Sequence, residues 1–204
     1  MSSIVLVYAT RQGQTRKIAE HLAEALAPLG LDCQAVDVCG VEEPFPLAAY
    51  EGAILAASIH MGKHEPEMVD FVRRHREELE AMPTAFLSVS MSEASAEDPT
   101  RSFEERERAR AEVEQMLEAF YAATDWRPGR ALPVAGALLY TKMGFILRFV
   151  TKRIARRDGG PTDTTHDYEF TDWAALDHFA EELVTRIARL RDSRKRGAGP
   201  QLPR

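Results

Sequence analysis

The fold is decided by residues 4–19, which read IVLVYATRQGQTRKIA. The apolar run from Ile4 to Tyr8 predicts a buried β-strand. A polar segment with one glycine follows, and apolar residues then recur at helical spacing up to Leu26. This order predicts a strand that turns through a loop into a helix. The N-terminus of such a helix favours an anion, because its first backbone N–H groups have no partner within the helix.

The same alternation of apolar runs and helical segments continues to residue 190. Further strands are expected at 33–38, 52–58, 84–90 and 131–139, and helices at 15–27, 66–79, 102–123 and 173–190. Strands that are apolar throughout and separated by helices indicate a parallel sheet covered on both faces. We therefore predict an α/β fold, with one doubly wound five-stranded parallel sheet in a single domain over residues 1–190. Ligands of such sheets bind beyond the carboxyl ends of the strands.

Composition and charge exclude several classes of protein. A chain of 204 residues suits one domain with its own core, and 45% apolar with 28% charged residues is typical of globular proteins. The net charge of −6 gives no overall reason to expect nucleic acid as a partner. Cys33 and Cys39 match no zinc or dithiol spacing, so we interpret them as small apolar side chains in a reducing cytoplasm. No basic start with a cleavage site precedes the first strand, so we expect no secretory signal.

The segment 132–150 is apolar enough to suggest a membrane-spanning helix. However, Lys142 lies near its middle and Arg148 near its end. A central Lys or Arg opposes insertion by about 2.5–3.5 kcal/mol, and Pro133 and Gly136 weaken a helix further. We therefore interpret the segment as a buried strand followed by a separate helix.

The loop after the first strand has the chemistry of a phosphate site. It offers hydroxyl groups at Thr10 and Thr15 and a glycine, Gly13, in front of a helix N-terminus. The lysine and flanking glycines of a nucleotide P-loop are missing, and so is the three-glycine motif of a dinucleotide fold. The loop therefore predicts a cradle for one terminal phosphate. An ordinary strand-to-helix turn capped by its threonines stays open as the alternative.

The loops after the third and fourth strands are expected to lie beside the first loop. They offer small side chains, hydroxyl groups and backbone donors, which suit a flat ring tethered to a phosphate. His60 and His64 stand four residues apart, but no acidic or cysteine partner has a fitting spacing, so we expect no metal site. The candidate cofactor-binding residues of the three loops are Thr10, Arg11, Gln12, Gly13, Gln14, Thr15, Ser58, Ile59, His60, Met61, Gly62, Ser88, Val89, Ser90 and Met91.

These motifs resemble those of a known family. TRQGQT at 10–15 and ASI at 57–59 are similar to flavodoxin-like proteins that bind flavin mononucleotide (FMN), although most of those carry a hydroxyl residue where this chain has Gln12. A closer resemblance, over residues 4–190, is to the bacterial menaquinone-dependent protoporphyrinogen IX dehydrogenases. Further motifs that carry it are MPxAFxSV at 82–89, WRP at 126–128, AGAL at 135–138, GGxTDT at 159–164 and YxxTDW at 168–173.

The resemblance implies a flavodoxin-like fold, FMN as the cofactor and an oxidoreductase of heme biosynthesis. The implied reaction oxidises protoporphyrinogen IX to protoporphyrin IX in three two-electron rounds and passes the electrons to menaquinone or another quinone. The flavin carries the redox chemistry in such an enzyme, and we identify no side chain in the strand-end loops as a catalytic acid or base. A flavodoxin-type FMN electron carrier between protein partners and a flavin-free binding module remain alternatives.

Between the fifth strand and the last helix lies an insert at about 140–160 that a minimal flavodoxin does not need. Apolar residues recur at helical spacing from Met143, and six cations stand between Lys142 and Arg157. The plain interpretation is a helix packed on the domain with a solvated basic face. The alternatives are a helix drawn to anionic lipid and a clamp for an apolar dianion such as a porphyrinogen. The candidate substrate or membrane contacts are Lys142, Phe145, Arg148, Phe149, Arg153 and Arg156.

These features predict a cytoplasmic protein that associates peripherally with the inner face of the cell membrane. The expected partners are protoporphyrinogen IX, a quinone and the membrane surface, with no nucleic acid, and a homo-oligomer stays an open option. Residues 191–204 combine basic residues with glycine and proline, and we predict that they form a flexible tail.

Overall fold

The protein is a parallel sheet with helices on both faces. The computed structural model describes residues 2–157 and 159–197, with side chains except at 2, 146, 154, 157 and 190–197. In chain order the strands are β1 Ser2–Ala9, β2 Leu31–Asp37, β3 Gly52–His60, β4 Lys63–His64, β5 Thr84–Ser90, β6 Ala131–Ala135, β7 Ala137–Leu138 and β8 Tyr168–Glu169. Five of them pair in parallel in the order β2-β1-β3-β5-β6. The prediction of a doubly wound five-stranded sheet is confirmed.

The helices cover the two faces because the strands are apolar on both sides. They are α1 Gln14–Leu26, α2 Pro66–Arg74, α3 Arg76–Glu80, α4 Met91–Glu97, α5 Phe103–Thr124, α6 Phe145–Arg157 and α7 Trp173–Gly197. Alternate residues of β1 point to opposite faces. Leu6 belongs to a core cluster with residues of α1 and α7, whereas Val7 belongs to a second cluster with residues of α2 and α5. Each cluster seals one face of the sheet.

Two elements after the central strands were not expected. β3 runs to His60 and turns back through Met61 and Gly62, both with positive φ, so that β4 pairs antiparallel with its end. Helix α4 follows β5 without a loop, because the Ser90 hydroxyl accepts a hydrogen bond from the Glu93 N–H at 3.0 Å. Both elements lie at the carboxyl edge of the sheet.

The fifth strand of the sheet is shorter than the predicted 131–139: β6 ends at Ala135. The Gly136 N–H still donates to the Ser90 carbonyl oxygen at 2.9 Å, but β7 then leaves the sheet and pairs antiparallel with β8. The segment 132–150 thus contains strand residues followed by a separate helix, α6, as the sequence predicted, but the division of the strand into β6 and β7 was not predicted. Within the described ranges, no helix is both long and apolar enough to cross a membrane.

The two cysteines and the last helix depart in part from expectation. Cys33 packs partly buried against the core, and burial raises the pKa of its thiol to about 12, but Cys39 is exposed and is not an apolar filler. Helix α7 continues to Gly197, past the predicted end at Leu190. The remainder of the predicted tail, 198–204, lies outside the described residues.

Candidate functional site

The candidate site is a cleft at the carboxyl ends of β1, β3 and β5. A larger groove of about 1280 Å³ lies at the opposite edge, beside residues that precede β3 and β5 such as Glu51 and Pro83. We favour the cleft, because the chain turns away from β1 in opposite directions there and doubly wound sheets bind ligands at that point. The cleft is lined by Thr10, Arg11, Gln12, Gln14, Thr15, Ser58, Ile59, His60, Glu65, Val89, Ser90, Met91, Gly136, Ala137, Leu138, Met143, Leu147 and Thr151.

Most of the predicted cofactor residues meet in this cleft, but four of them do not line it. Gly13 belongs to the first loop but is not among the lining residues, and Gly62 forms the turn after β3 with Met61, which is 90% exposed. Ser88 lies in the buried interior, where its hydroxyl is 2.9 Å from the His64 Nε2 atom. Ser88 therefore supports the core and not the cleft.

The first loop is held in one shape by its own hydrogen bonds. Gly13 precedes α1 with φ 97°, a backbone conformation that favours glycine, and its N–H donates to the Thr10 hydroxyl at 3.0 Å. Gln14 donates from Nε2 to the Thr171 hydroxyl at 2.9 Å, which in turn donates to the Ala135 carbonyl at 2.7 Å. These bonds tie the loop to β6 and to the residues before α7.

Thr15 differs from Thr10 and Gln14 of the same loop, because its side chain makes no hydrogen bond to a described residue. Its side chain is fully buried and lines the cleft, yet its hydroxyl oxygen has no hydrogen-bond partner among the described residues. A buried hydroxyl without a partner costs about 1–3 kcal/mol. Such a group at a helix N-terminus indicates a place for an anionic ligand that accepts its hydrogen bond.

A buried carboxylate, Glu65, lies in the cleft and was missed in the sequence. It is only 2% exposed, and it accepts hydrogen bonds from the Ser58 hydroxyl at 2.9 Å and from the Arg11 Nε at 2.6 Å. The Glu65 N–H also donates to the Ser58 carbonyl at 3.2 Å. Glu65 therefore fixes the end of β3 and holds Arg11 of the first loop across the cleft.

The two histidines suggested by their spacing lie in different environments. His60 lines the cleft, whereas His64 is buried against the stacked Phe86 and Phe120 rings, and burial lowers its pKa to about 4. His64 is thus a neutral core residue near pH 7. In the part of the chain that the structure describes, no group of three or more His, Cys, Asp or Glu is placed to hold a metal ion.

The insert forms the remaining wall of the cleft. Met143, Leu147 and Thr151 line it from one side, and Met143 also packs with Leu138 and Ala155 in a small apolar cluster. The cleft encloses about 160 Å³, less than the roughly 300–1,000 Å³ usual for ligand pockets. The insert therefore narrows the site in this conformation.

The predicted contact residues of the insert do not share one surface. Phe145 and Phe149 are 85% and 63% exposed, and Arg153 and Arg156 are exposed beside them. Arg148 is half-buried and donates to the Met143 carbonyl at 2.9 Å. Lys142 lies apart from these residues, in the turn before α6, and its Nζ atom lies 3.8 Å from the position that a Cβ atom on Gly13 would take.

A hydrogen-bond pair fastens the base of the insert. The Thr141 N–H and hydroxyl donate to the two carboxylate oxygens of Asp167 at 2.9 and 2.7 Å. The pKa of Asp167 is lowered chiefly by the Thr141 N–H, and further by the Thr141 hydroxyl and by the charges of Lys142 and Arg148. The Asp167 carboxylate is therefore ionised at neutral pH and holds the turn that carries Lys142.

Comparisons with known proteins agree with this architecture. A family model described as a flavodoxin domain matches residues 5–165. The chain is 33% identical over 180 residues to the protoporphyrinogen IX dehydrogenase (quinone) of Escherichia coli (strain K12), covering 88% of this chain and 93% of that protein. Its identity to the protein of the same name from Leishmania major is 31% over 181 residues, covering 88% and 74%.

Among solved structures, a short-chain flavodoxin associated with a PDU bacterial microcompartment is similar in fold. It superposes with a TM-score of 0.55 at 14% identity, covering 92% of this chain and 99% of that chain. The chain belongs to the flavodoxin family, and within it to the family of its protoporphyrinogen IX dehydrogenase relatives.

Proposed function

We propose that this member of the flavodoxin family is an FMN-dependent enzyme that oxidises protoporphyrinogen IX to protoporphyrin IX and passes the electrons to a quinone. The observation that carries the proposal is the 33% identity to the Escherichia coli dehydrogenase across 88% of this chain. That match spans the insert as well as the sheet. A flavodoxin-type electron carrier receives less support, because the relatives with 31–33% identity are named dehydrogenases, whereas the flavodoxin that covers 92% of the chain is only 14% identical.

The first loop is suited to the phosphate of FMN. The buried Thr15 hydroxyl has no other partner among the described residues, and the backbone at Gly13 has no Cβ to keep a ligand away. Strand-end residues such as Ser58, Ile59, Val89 and Ser90 would then face the ring. A three-ring flavin needs more room than the cleft offers, so α6 is expected to move outward as FMN enters.

When bound, FMN supplies the two-electron redox chemistry. The residues of the chain would bind the cofactor, orient it and shield it from water. The loop before α1 would hold the phosphate, and Glu65 fixes the Ser58 hydroxyl at the end of β3. Leu138, Met143 and Leu147 give this side of the cleft an apolar lining. Each round removes two electrons and two protons from the substrate. One quinone takes up two electrons and two protons and becomes a quinol.

The exposed face of α6 is the proposed contact with membrane or substrate. Phe145 and Phe149 offer apolar surface, and Arg153 and Arg156 offer positive charge beside it. A quinone acceptor is held in lipid, and a surface of this composition suits an anionic bilayer. We propose that the protein lies peripherally on the membrane through α6, and that the same cations attract the propionates of the substrate.

The experiment is anaerobic reduction of the FMN-loaded protein by protoporphyrinogen IX, followed by reoxidation with menaquinone or ubiquinone. Bleaching of the flavin absorbance by substrate and its recovery with quinone are the expected results. Flavin that substrate leaves oxidised would contradict the dehydrogenase proposal. FMN is expected to compete strongly against FAD and nicotinamide nucleotides, because the chain has one short phosphate loop.

Gly13→Val is expected to abolish FMN binding in a folded protein, because the added side chain meets the path of the phosphate. Gly30→Val is the matched control. Gly30 has a similar φ of 84°, but it lies in the turn before β2, where nothing lies within 4 Å of an added Cβ. If both variants fold and bind FMN as the parent does, the phosphate site is wrongly placed.

A further inference from the structure

We infer that Lys142, which the insert places beside the first loop, is a direct ligand of the cofactor phosphate. The sequence grouped Lys142 with the membrane or substrate contacts, but its Nζ atom lies 3.8 Å from the position of a Cβ on Gly13. That glycine precedes α1, whose N-terminus favours an anion. The inference rests on the proposed binding of FMN and adds a ligand from outside the flavodoxin sheet.

The other cations of the loop are already paired with carboxylates. Arg11 bonds to the buried Glu65 at 2.6 Å, and Lys17 bonds to Glu169 at 2.6 Å. Arg16 lies 3.5 Å from Glu20 one helical turn away. Their charges are therefore partly offset, and a phosphate dianion near Gly13 would gain most from a cation that has no carboxylate partner.

Lys142 is placed to supply that charge. No described carboxylate lies within 4.0 Å of its Nζ atom, although Asp167 is near enough for its pKa to be lowered by the Lys142 charge. The turn that carries Lys142 is fastened, because its backbone N–H donates to the Leu139 carbonyl at 3.0 Å and Thr141 is bonded to Asp167. A fastened backbone lowers the entropy cost of placing a long, flexible side chain over the loop.

The buried hydroxyl of Thr15 is an independent sign of a ligand at the same loop. It is fully buried, it lines the cleft, and it lacks a partner among the described residues. The Thr15 hydroxyl and the Lys142 ammonium would donate to different oxygens of one phosphate. A terminal phosphate has enough acceptor oxygens for both, and charge-assisted hydrogen bonds are its strongest contacts.

The test compares FMN with riboflavin, which has the same ring system but no phosphate. Lys142→Gln is expected to weaken FMN binding at least about tenfold, the scale of one charge-assisted hydrogen bond, and to leave riboflavin binding unchanged. Lys142→Arg is expected to retain most of the FMN affinity. Lys152→Gln, which removes a lysine from α6 in the same insert, is the matched control and should bind both flavins as the parent does.

Dissociation constants measured by flavin fluorescence at low and high salt test whether Lys142 binds the phosphate. High salt should reduce the parent's preference for FMN over riboflavin more than it reduces that of Lys142→Gln. Salt screens the contact between the Lys142 ammonium and the phosphate, and only the parent has this contact. Equal FMN affinity in parent and Lys142→Gln overturns the inference, and so does an equal loss of both flavins. A parent that binds neither flavin overturns the proposed function as well.

Discussion

Helices α5 and α6 are both charged surface helices, but they balance their charge in opposite ways. Helix α5 alternates acids and bases, begins with a capping box at Ser102 and Glu105, and pairs Arg110 with Glu107. Helix α6 has no acidic residue, and within its described side chains no cation is paired with a described carboxylate. A paired helix face suits bulk water, whereas an unpaired basic face favours an anionic surface.

The apolar residues follow the same division. Helix α5 exposes a single large one, Phe103, at its first turn beside Glu104. Helix α6 exposes Phe145, Phe149 and Val150 in neighbouring positions beside its cations. Amphipathic helices that lie in a membrane interface combine both features on one face. Charge content alone therefore does not distinguish the two helices; the missing counter-charge and the exposed aromatic rings of α6 are what support the proposed contact.

The largest effect is expected from removing the charge of α6. Near an anionic bilayer each cation contributes about 1 kcal/mol, so Arg148→Gln, Arg153→Gln and Arg156→Gln together should weaken binding to anionic vesicles on the order of a hundredfold. Quinone-linked turnover should slow, and bound FMN should remain. Vesicle sedimentation at low salt measures the binding.

The matched control is the arginine triple of α5, Arg106→Gln, Arg108→Gln and Arg110→Gln. Each triple removes three charges, one from a half-buried arginine and two from exposed ones. Equal losses from both helices would mean that net charge matters and the position of α6 does not. Loss of FMN from the α6 triple would identify the helix as a lid over the cofactor.

A second, smaller effect is expected from the exposed rings. Phe145→Ser with Phe149→Ser removes apolar surface that the interface would bury, and should weaken vesicle binding roughly tenfold at high salt, where the charge contribution is screened. Phe103→Ser on α5 is the control, because Phe103 is 64% exposed and Phe149 is 63% exposed. Unchanged vesicle binding by the double variant would confine the membrane contact to electrostatics.

The third prediction concerns stability and not binding. Ser102→Ala removes the capping box of α5 and should lower the free energy of unfolding by about 1 kcal/mol. Thermal unfolding followed by circular dichroism measures this loss. Vesicle binding should stay at the parent level. A binding defect in this variant would contradict the proposal that α6, and not α5, contacts the membrane.

The smallest effect is expected on the pKa of Glu93. This residue belongs to α4, the helix that packs against α5. Burial, followed by the charge of Glu97, raises its pKa from 4.5 to about 7, while Arg110 lowers it. The folded protein therefore binds more protons than the unfolded chain between these values, and stability falls as pH rises through this window. Arg110→Gln should raise the pKa slightly further, which carboxyl NMR titration would detect. A lowered pKa would contradict the placement of Arg110 beside this group.

The sheet and the first loop could be predicted because their signals are local. Apolar runs mark β1 and β3, and a glycine between a strand and a helix marks the turn at Gly13. Glu65 could not be predicted, because its role depends on the positive-φ turn at Met61 and Gly62, which folds β4 back and brings Glu65 to Ser58. No spacing in the sequence carries that contact.

The insert shows the same limit. Its helix and its charge follow from the sequence, but the chain leaves the sheet at Gly136, where an added Cβ would lie 3.4 Å from the Val89 side chain. That departure brings Leu147 and Thr151 to the cleft and turns Phe145 away from it. The proximity of Lys142 to Gly13 is likewise a long-range contact that only the folded chain reveals.

The pairing of β7 with β8 has an evolutionary consequence. Leu138 and Tyr168 are register partners, so the chain departs for the insert and returns from it at one place. An excursion closed at its base can be lengthened, shortened or exchanged without changing the register of the central sheet. Exchange of this segment alone would therefore change the surface that the domain presents and leave the sheet as it is. Lys142 lies inside this segment, so the proposed phosphate contact would be transferred with it.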